Sequence, residues 1–65
     1  MYPNLAAEMA RKGIDFSDIA KVIGKDKRSV YNKVHKITHF TLEECRAIRD
    51  AFFPDMELDY LFKED

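Results

Sequence analysis

The stretch DFSDIAKVIGKDKRSVYNKVHK, residues 15–36, decides the fold. It holds two short helical patterns divided by one glycine. Asp15-Phe16-Ser17-Asp18 is an acidic form of the capping box, in which two side chains three residues apart satisfy each other's free backbone N–H groups at a helix start. Ile19, Ala20 and Ile23 then fall on one face. Gly24 stops the helix by taking a positive φ, which costs glycine nothing because it has no Cβ. About two residues later Asp26 caps a second helix, in which Val30 and Val34 lie one turn apart. Ala20, Gly24 and Val30 are spaced four and then six apart, as a close helix crossing demands. Ala20 is small where the helices cross, Gly24 turns the chain, and Val30 anchors the second helix on the first. Two short helices joined this way make a helix-turn-helix layout over about residues 15–36.

Further helices are expected on both sides of this pair. One runs over about Asn4–Lys12, with Asn4 as N-cap, Leu5 and Met9 one turn apart, and Gly13 just past the end. Ile37 to Phe40 read as a loop. Thr41-Leu42-Glu43-Glu44 is a well-formed capping box. It opens a helix carrying Leu42, Cys45, Ile48 and Phe52 on one face, which Pro54 ends. A last short helix, about Glu57–Phe62, adds Leu58, Leu61 and Phe62 to the core. No stretch alternates as a strand does. The expectation is all-α: a compact five-helix bundle, one domain over residues 1–65, with the helix-turn-helix at its centre.

Size and composition narrow the function. A 65-residue chain should expose about 4,300 Å² when folded and bury roughly 60% of its unfolded surface, enough for a small core but not a deep cleft. That counts against a self-contained enzyme, and no phosphate-cradling glycine loop or Ser/His/Asp arrangement can be assembled. No cofactor and no small-molecule substrate are expected. At 46% hydrophobic and 35% charged residues the chain is too apolar for disorder. Its apolar runs are far too short for a membrane span. No charged-then-apolar leader is evident. The single cysteine, Cys45, forms no internal disulfide and no multi-cysteine zinc site. It shares an arc with Leu42, Ile48 and Phe52 and reads as a small buried hydrophobe. Arg49 falls in the same arc, where a tail carboxylate is its expected partner. A reduced, cytoplasmic setting follows as the expectation.

The formal net charge of −1 conceals an uneven distribution. Residues 20–40 carry Lys21, Lys25, Lys27, Arg28, Lys33 and Lys36 against Asp26 alone, a net of +5, whereas residues 41–65 set three cations against eight acids, a net of −5. A merely solvated face usually mixes signs. The basic block also holds Ser29, Tyr31, Asn32, His35 and His39, residue types that contact phosphates and bases.

On these residues the chain resembles the phage-repressor, or Cro/repressor (xenobiotic-response-element), helix-turn-helix family. Asn4–Gly13 resembles the family's first helix, Asp15–Gly24 its second and Asp26–Lys36 its recognition helix. The Thr41-Leu42-Glu43-Glu44 start and the closing Leu58–Phe62 resemble small phage-derived repressors. The resemblance implies a lambda-repressor-like DNA-binding domain. It further implies a transcriptional regulator that binds operator DNA, commonly as a homodimer on a palindrome. Three positions depart from the family pattern. Lys33 stands where an apolar residue is usual, and Lys25 where an apolar or small one follows the turn glycine. Lys36 replaces the glycine after the recognition helix, so that helix is expected to run on.

A helical wheel assigns the expected contacts. Lys27, Arg28, Tyr31 and Asn32 are placed for base edges, Arg for guanine and Asn for adenine. Ser29, Lys33, His35, Lys36 and His39 are placed for phosphates, as are Phe16 and Ser17 through the N–H groups at the start of the second helix. His35 and His39 stand four apart, but with no third ligand no metal site is expected. Phe53, Met56 and Tyr60 are candidates for a dimer interface, with sealing of the last helix as the plainer alternative. A rival reading from another class is a protein-interaction module, an antitoxin or antirepressor-like adaptor using that apolar C-terminal surface.

Overall fold

The computed structural model describes residues 1–65 as five α-helices and no strand. They are α1 (Pro3–Lys12), α2 (Phe16–Ile23), α3 (Lys27–Val34), α4 (Leu42–Phe52) and α5 (Leu58–Leu61). The radius of gyration is 10.4 Å, against about 10.7 Å for a compact chain of this length. The surface of 4205 Å² likewise lies close to the scaling value. α2 packs on α3 and α4, and α5 rests on α4 and α1. No helix is long and apolar enough to cross a membrane.

Helix starts follow the local chemistry. At α2 the Asp15 carboxylate accepts the Asp18 N–H and the Asp18 carboxylate accepts the Asp15 N–H, both at 3.0 Å. At α3 Asp26 accepts the Ser29 N–H at 2.8 Å. At α4 Thr41 and Glu44 close the same reciprocal box. Gly24 sits at φ 69°, and the next amide, Lys25 N–H, bonds back to Ala20 O. The α2-to-α3 turn is therefore three residues long, Gly24 to Asp26.

Three boundaries differ from expectation. α1 begins at Pro3, whose ring presets a helical φ and whose missing N–H costs nothing in a first turn. Tyr2 occupies the cap position without a side-chain bond. The Asn4 amide donates instead to Tyr60 O at 2.8 Å, joining α1 to α5. α3 ends at Val34 rather than running through Lys36. Lys36 itself takes the left-handed conformation, φ 62°, that a glycine would normally supply. The chain folds back there because Ile37 and Thr38 N–H both bond to Asn32 O, at 2.8 and 3.2 Å. α5 shortens to Leu58–Leu61, with Leu61 buried and both Leu58 and Phe62 half-buried.

The core is one cluster drawn from all five helices and their flanks. Leu5, Ile19, Val30, Ile48, Phe53 and Leu61 are sealed from solvent, each such aliphatic or aromatic contributing about 1.5–3 kcal/mol. Tyr2, Phe40 and Phe62 meet edge to face, with centroids 5.5–5.9 Å apart. That trio brings the N-terminus, the α3–α4 loop and the α5 end together. Leu42, expected on the buried arc of α4, is 59% exposed. Six residues before Ile48 it is rotated about 120° from it on the helix.

Candidate nucleic-acid interface

α3 buries Val30 and Val34 and turns Lys27, Arg28, Tyr31 and His35 to solvent. At about 100° per residue these four form one stripe, with Asn32, half-buried, on its edge. Tyr31 is 46% exposed. Its ring meets Phe16 of α2 edge-on at 6.3 Å and lies 4.2 Å from the His35 imidazole. Phe16, Lys27, Arg28 and Tyr31 line one shared depression, so the α2 start and the α3 stripe form a single surface. After its Asp26 cap, α3 contains no acid.

Lys27 and Arg28 make no ion pair in the chain, and neither do Lys21 and Lys25. Lys33 and Lys36 differ. The Lys33 ammonium is 3.1 Å from the Glu44 carboxylate, donates to His39 O at 2.9 Å and lies over the Phe40 ring. Only 13% of its side chain is exposed. Lys33, expected at phosphates, is thus engaged within the chain. Three residues after Val30, it points to the α4 side of the helix, where the α4 cap captures it. Lys36 lies beyond the helix and pairs with Glu64.

The remaining expected contacts are distributed around this stripe. Ser29 is half-buried at the Asp26 cap, and His39 is exposed in the loop after α3. His35 caps α3 and His39 lies outside it, so the pair does not share a helix face. The α2 start already carries a carboxylate. Hydrogen bonding from Asp18 N–H, aided by Ser17 N–H, holds Asp15 below its ordinary carboxylate range against slight burial. The Asp18 amide is thus taken by Asp15, while the Phe16 ring lines the shared depression.

At the C-terminal end, Phe53 is 1% exposed and belongs to the core, and Met56 is half-buried against it. Of the three residues considered for a dimer interface, Tyr60 alone is exposed. Phe53 is drawn inward because the helix-ending turn at Pro54 folds its ring beneath α1, where Lys12 lies over it and also donates to Phe52 O at 2.6 Å. Cys45 is half-buried, and burial, reinforced by the Glu44 charge, pushes its thiol above its ordinary value. Arg49 pairs with its neighbour Asp50 rather than with the tail.

One polar cluster has no counterpart in the sequence reading. Glu8, only 3% exposed, accepts two bonds from Arg11, at 3.0 and 2.9 Å, and one from the Tyr60 hydroxyl at 2.8 Å. Its position beside Met9 and one turn after Leu5 and Asn4 was the available signal. This cluster and Asn4 anchor α5 to α1.

Compared with known proteins, the chain matches no family model, no curated protein and no solved structure.

Proposed function

We propose that the chain is a sequence-specific regulator of transcription that binds double-stranded operator DNA in the manner of phage-type repressors. In this reading α2, the Gly24 turn and α3 act as a helix-turn-helix, and α3 enters the major groove. The observation that carries it is the Lys27–Arg28–Tyr31–His35 stripe: cationic and aromatic, free of acids, and, for Lys27 and Arg28, free of partners within the chain. A helix surface without internal partners for its cations is suited to polyanion contact.

Within that reading the side chains take distinct roles. Arg28 offers a bidentate fork to guanine, and Lys27 reaches a neighbouring base edge or phosphate. Tyr31, held by Phe16 and His35, presents its ring edge to a thymine methyl. Asn32 reads adenine from the margin of the stripe. His35 and, once released from Glu64, Lys36 contact phosphates. Lys33 orients α3 instead of touching DNA. The net −5 of residues 41–65 lies mostly on other elements and keeps non-specific affinity low. The adaptor reading loses support because Phe53 and Met56, two of its three apolar residues, pack into or against the core.

Selection from a randomised duplex pool, followed by affinity measurement on the enriched sequence and a shuffled control, tests the proposal. Enrichment of a defined motif bound about 10³-fold or more above the control is expected. Absence of any salt-dependent duplex binding at physiological ionic strength would overturn it.

A further inference from the structure

A second concave feature lies along the other flank of α3. A groove of about 430 Å³ opens between α1, the α2 start and the α3 end. Its floor is apolar: Leu5, Met9, Ile14, Phe16 and Val34. Ala6 and Ala10, exposed on α1, form one wall, and their small side chains are what leave the space open. Larger residues at those two positions would fill it.

The geometry points to this groove as a binding site for a compact apolar carboxylate: a small hydrocarbon body with one anionic group. Size favours a small molecule, because ligand pockets run to about 300–1,000 Å³. A stable protein partner needs about 800 Å² from each side, close to a fifth of this chain's 4205 Å² surface. Charge selects an anion. The rim carries Lys27, which has no ion pair in the chain, and His35. Asp15 is the one acid lining the groove; its carboxylate accepts Asp18 N–H at 3.0 Å and also feels the Lys27 charge, but makes no ion pair with it. The apolar body would displace water from the alanine-walled floor while its carboxylate meets Lys27.

The site is tested on the free chain without DNA, so its failure leaves the DNA reading untouched. ¹⁵N-labelled protein is titrated with 2-naphthoate and, separately, with the neutral 2-naphthalenemethanol. Amide shifts should concentrate at Ala6, Ala10, Ile14, Phe16 and Val34, and 2-naphthoate should bind about fivefold tighter than the alcohol. Lys27→Gln should erase that preference while keeping the alcohol's affinity. Ala10→Leu should weaken both probes at least about tenfold by filling the groove. Ala6→Leu serves the same end should Ala10→Leu lower the helical circular dichroism signal. Shifts absent from the groove, equal affinity for acid and alcohol, or undiminished binding in the leucine variants would each overturn the proposal.

Discussion

The Lys33 ammonium and the Glu44 carboxylate lie 3.1 Å apart with 13% and 11% of their side chains exposed, joining α3 to the first turn of α4. Glu44 is also the closing member of the Thr41 capping box. One carboxylate thus caps α4 and sets the orientation of α3. Lys33→Met and Glu44→Gln should each cost about 1–3 kcal/mol of stability, since each leaves a shielded polar partner behind. In a double-mutant cycle by urea denaturation, the pair should show about 1 kcal/mol of coupling. Additive losses would mean that the two side chains do not act on each other.

The same carboxylate makes stability depend on pH. Burial raises the Glu44 pKa, but Thr41 N–H and Lys33 outweigh it, holding the group below its ordinary value. A carboxyl depressed on folding stabilises the protein above its unfolded pKa, about 4.3, and that contribution fades as pH falls from there through the lower folded value. Wild type should therefore lose its stability margin over Glu44→Gln as pH drops below about 4.3. Thermal melts of both proteins across that range check it, and a constant difference would contradict it.

Glu8 is buried, but its partners Arg11 and Tyr60 remain in reach of water. Glu8→Gln should therefore cost only about 1–2 kcal/mol, the loss of charge-assisted bonds without stranding other groups. Tyr60→Phe should lower the melting temperature in the same direction. The bond to Glu8 raises the Tyr60 phenol above its ordinary value, with burial adding to it. A phenol raised on folding stabilises the protein below its unfolded pKa, about 10, and the contribution is lost as pH rises through the folded value. Burial raises the Tyr2 phenol as well, so spectrophotometric titration should show two late-titrating phenols in wild type and one in Tyr60→Phe.

Lys36 occupies φ 62° without the freedom of glycine. Lys36→Gly should relieve that strain and stabilise the chain by about 1 kcal/mol, even though the Glu64 pair is lost. For a domain of this size the melting temperature should rise by roughly 4–8 °C. A fall would mean that the turn draws more on the ion pair than on backbone relief.

What could be read in the sequence is what local chemistry decides. Asp15 with Asp18, Asp26, and Thr41 with Glu44 occupy their expected caps, and Gly13 and Gly24 take their positive φ, because each depends only on residues within a turn. The exposed α3 stripe was legible for the same reason, since Val30 and Val34 orient the wheel. Tertiary contacts were not legible. Lys33 looked free until α4 brought Glu44 to it, and Phe53 looked like surplus surface until the Pro54 turn folded it inward. Nothing near Glu8 in sequence points to Tyr60, 52 residues on, whose hydroxyl donates to it. The end of α3 was not legible either, because bonds from Ile37 and Thr38 to Asn32 hold Lys36 in a conformation its side chain disfavours.

The central claim is that α3 reads base pairs through its exposed stripe, and Arg28→Ala tests it most directly. Affinities of wild type and variant are measured by fluorescence anisotropy, at one fixed salt concentration, on the selected duplex and on its shuffled control. The account predicts a loss of about 1–3 kcal/mol on the selected duplex, little change on the control, and relaxed preference at one base pair. Equal losses on both duplexes, or none on either, would contradict it.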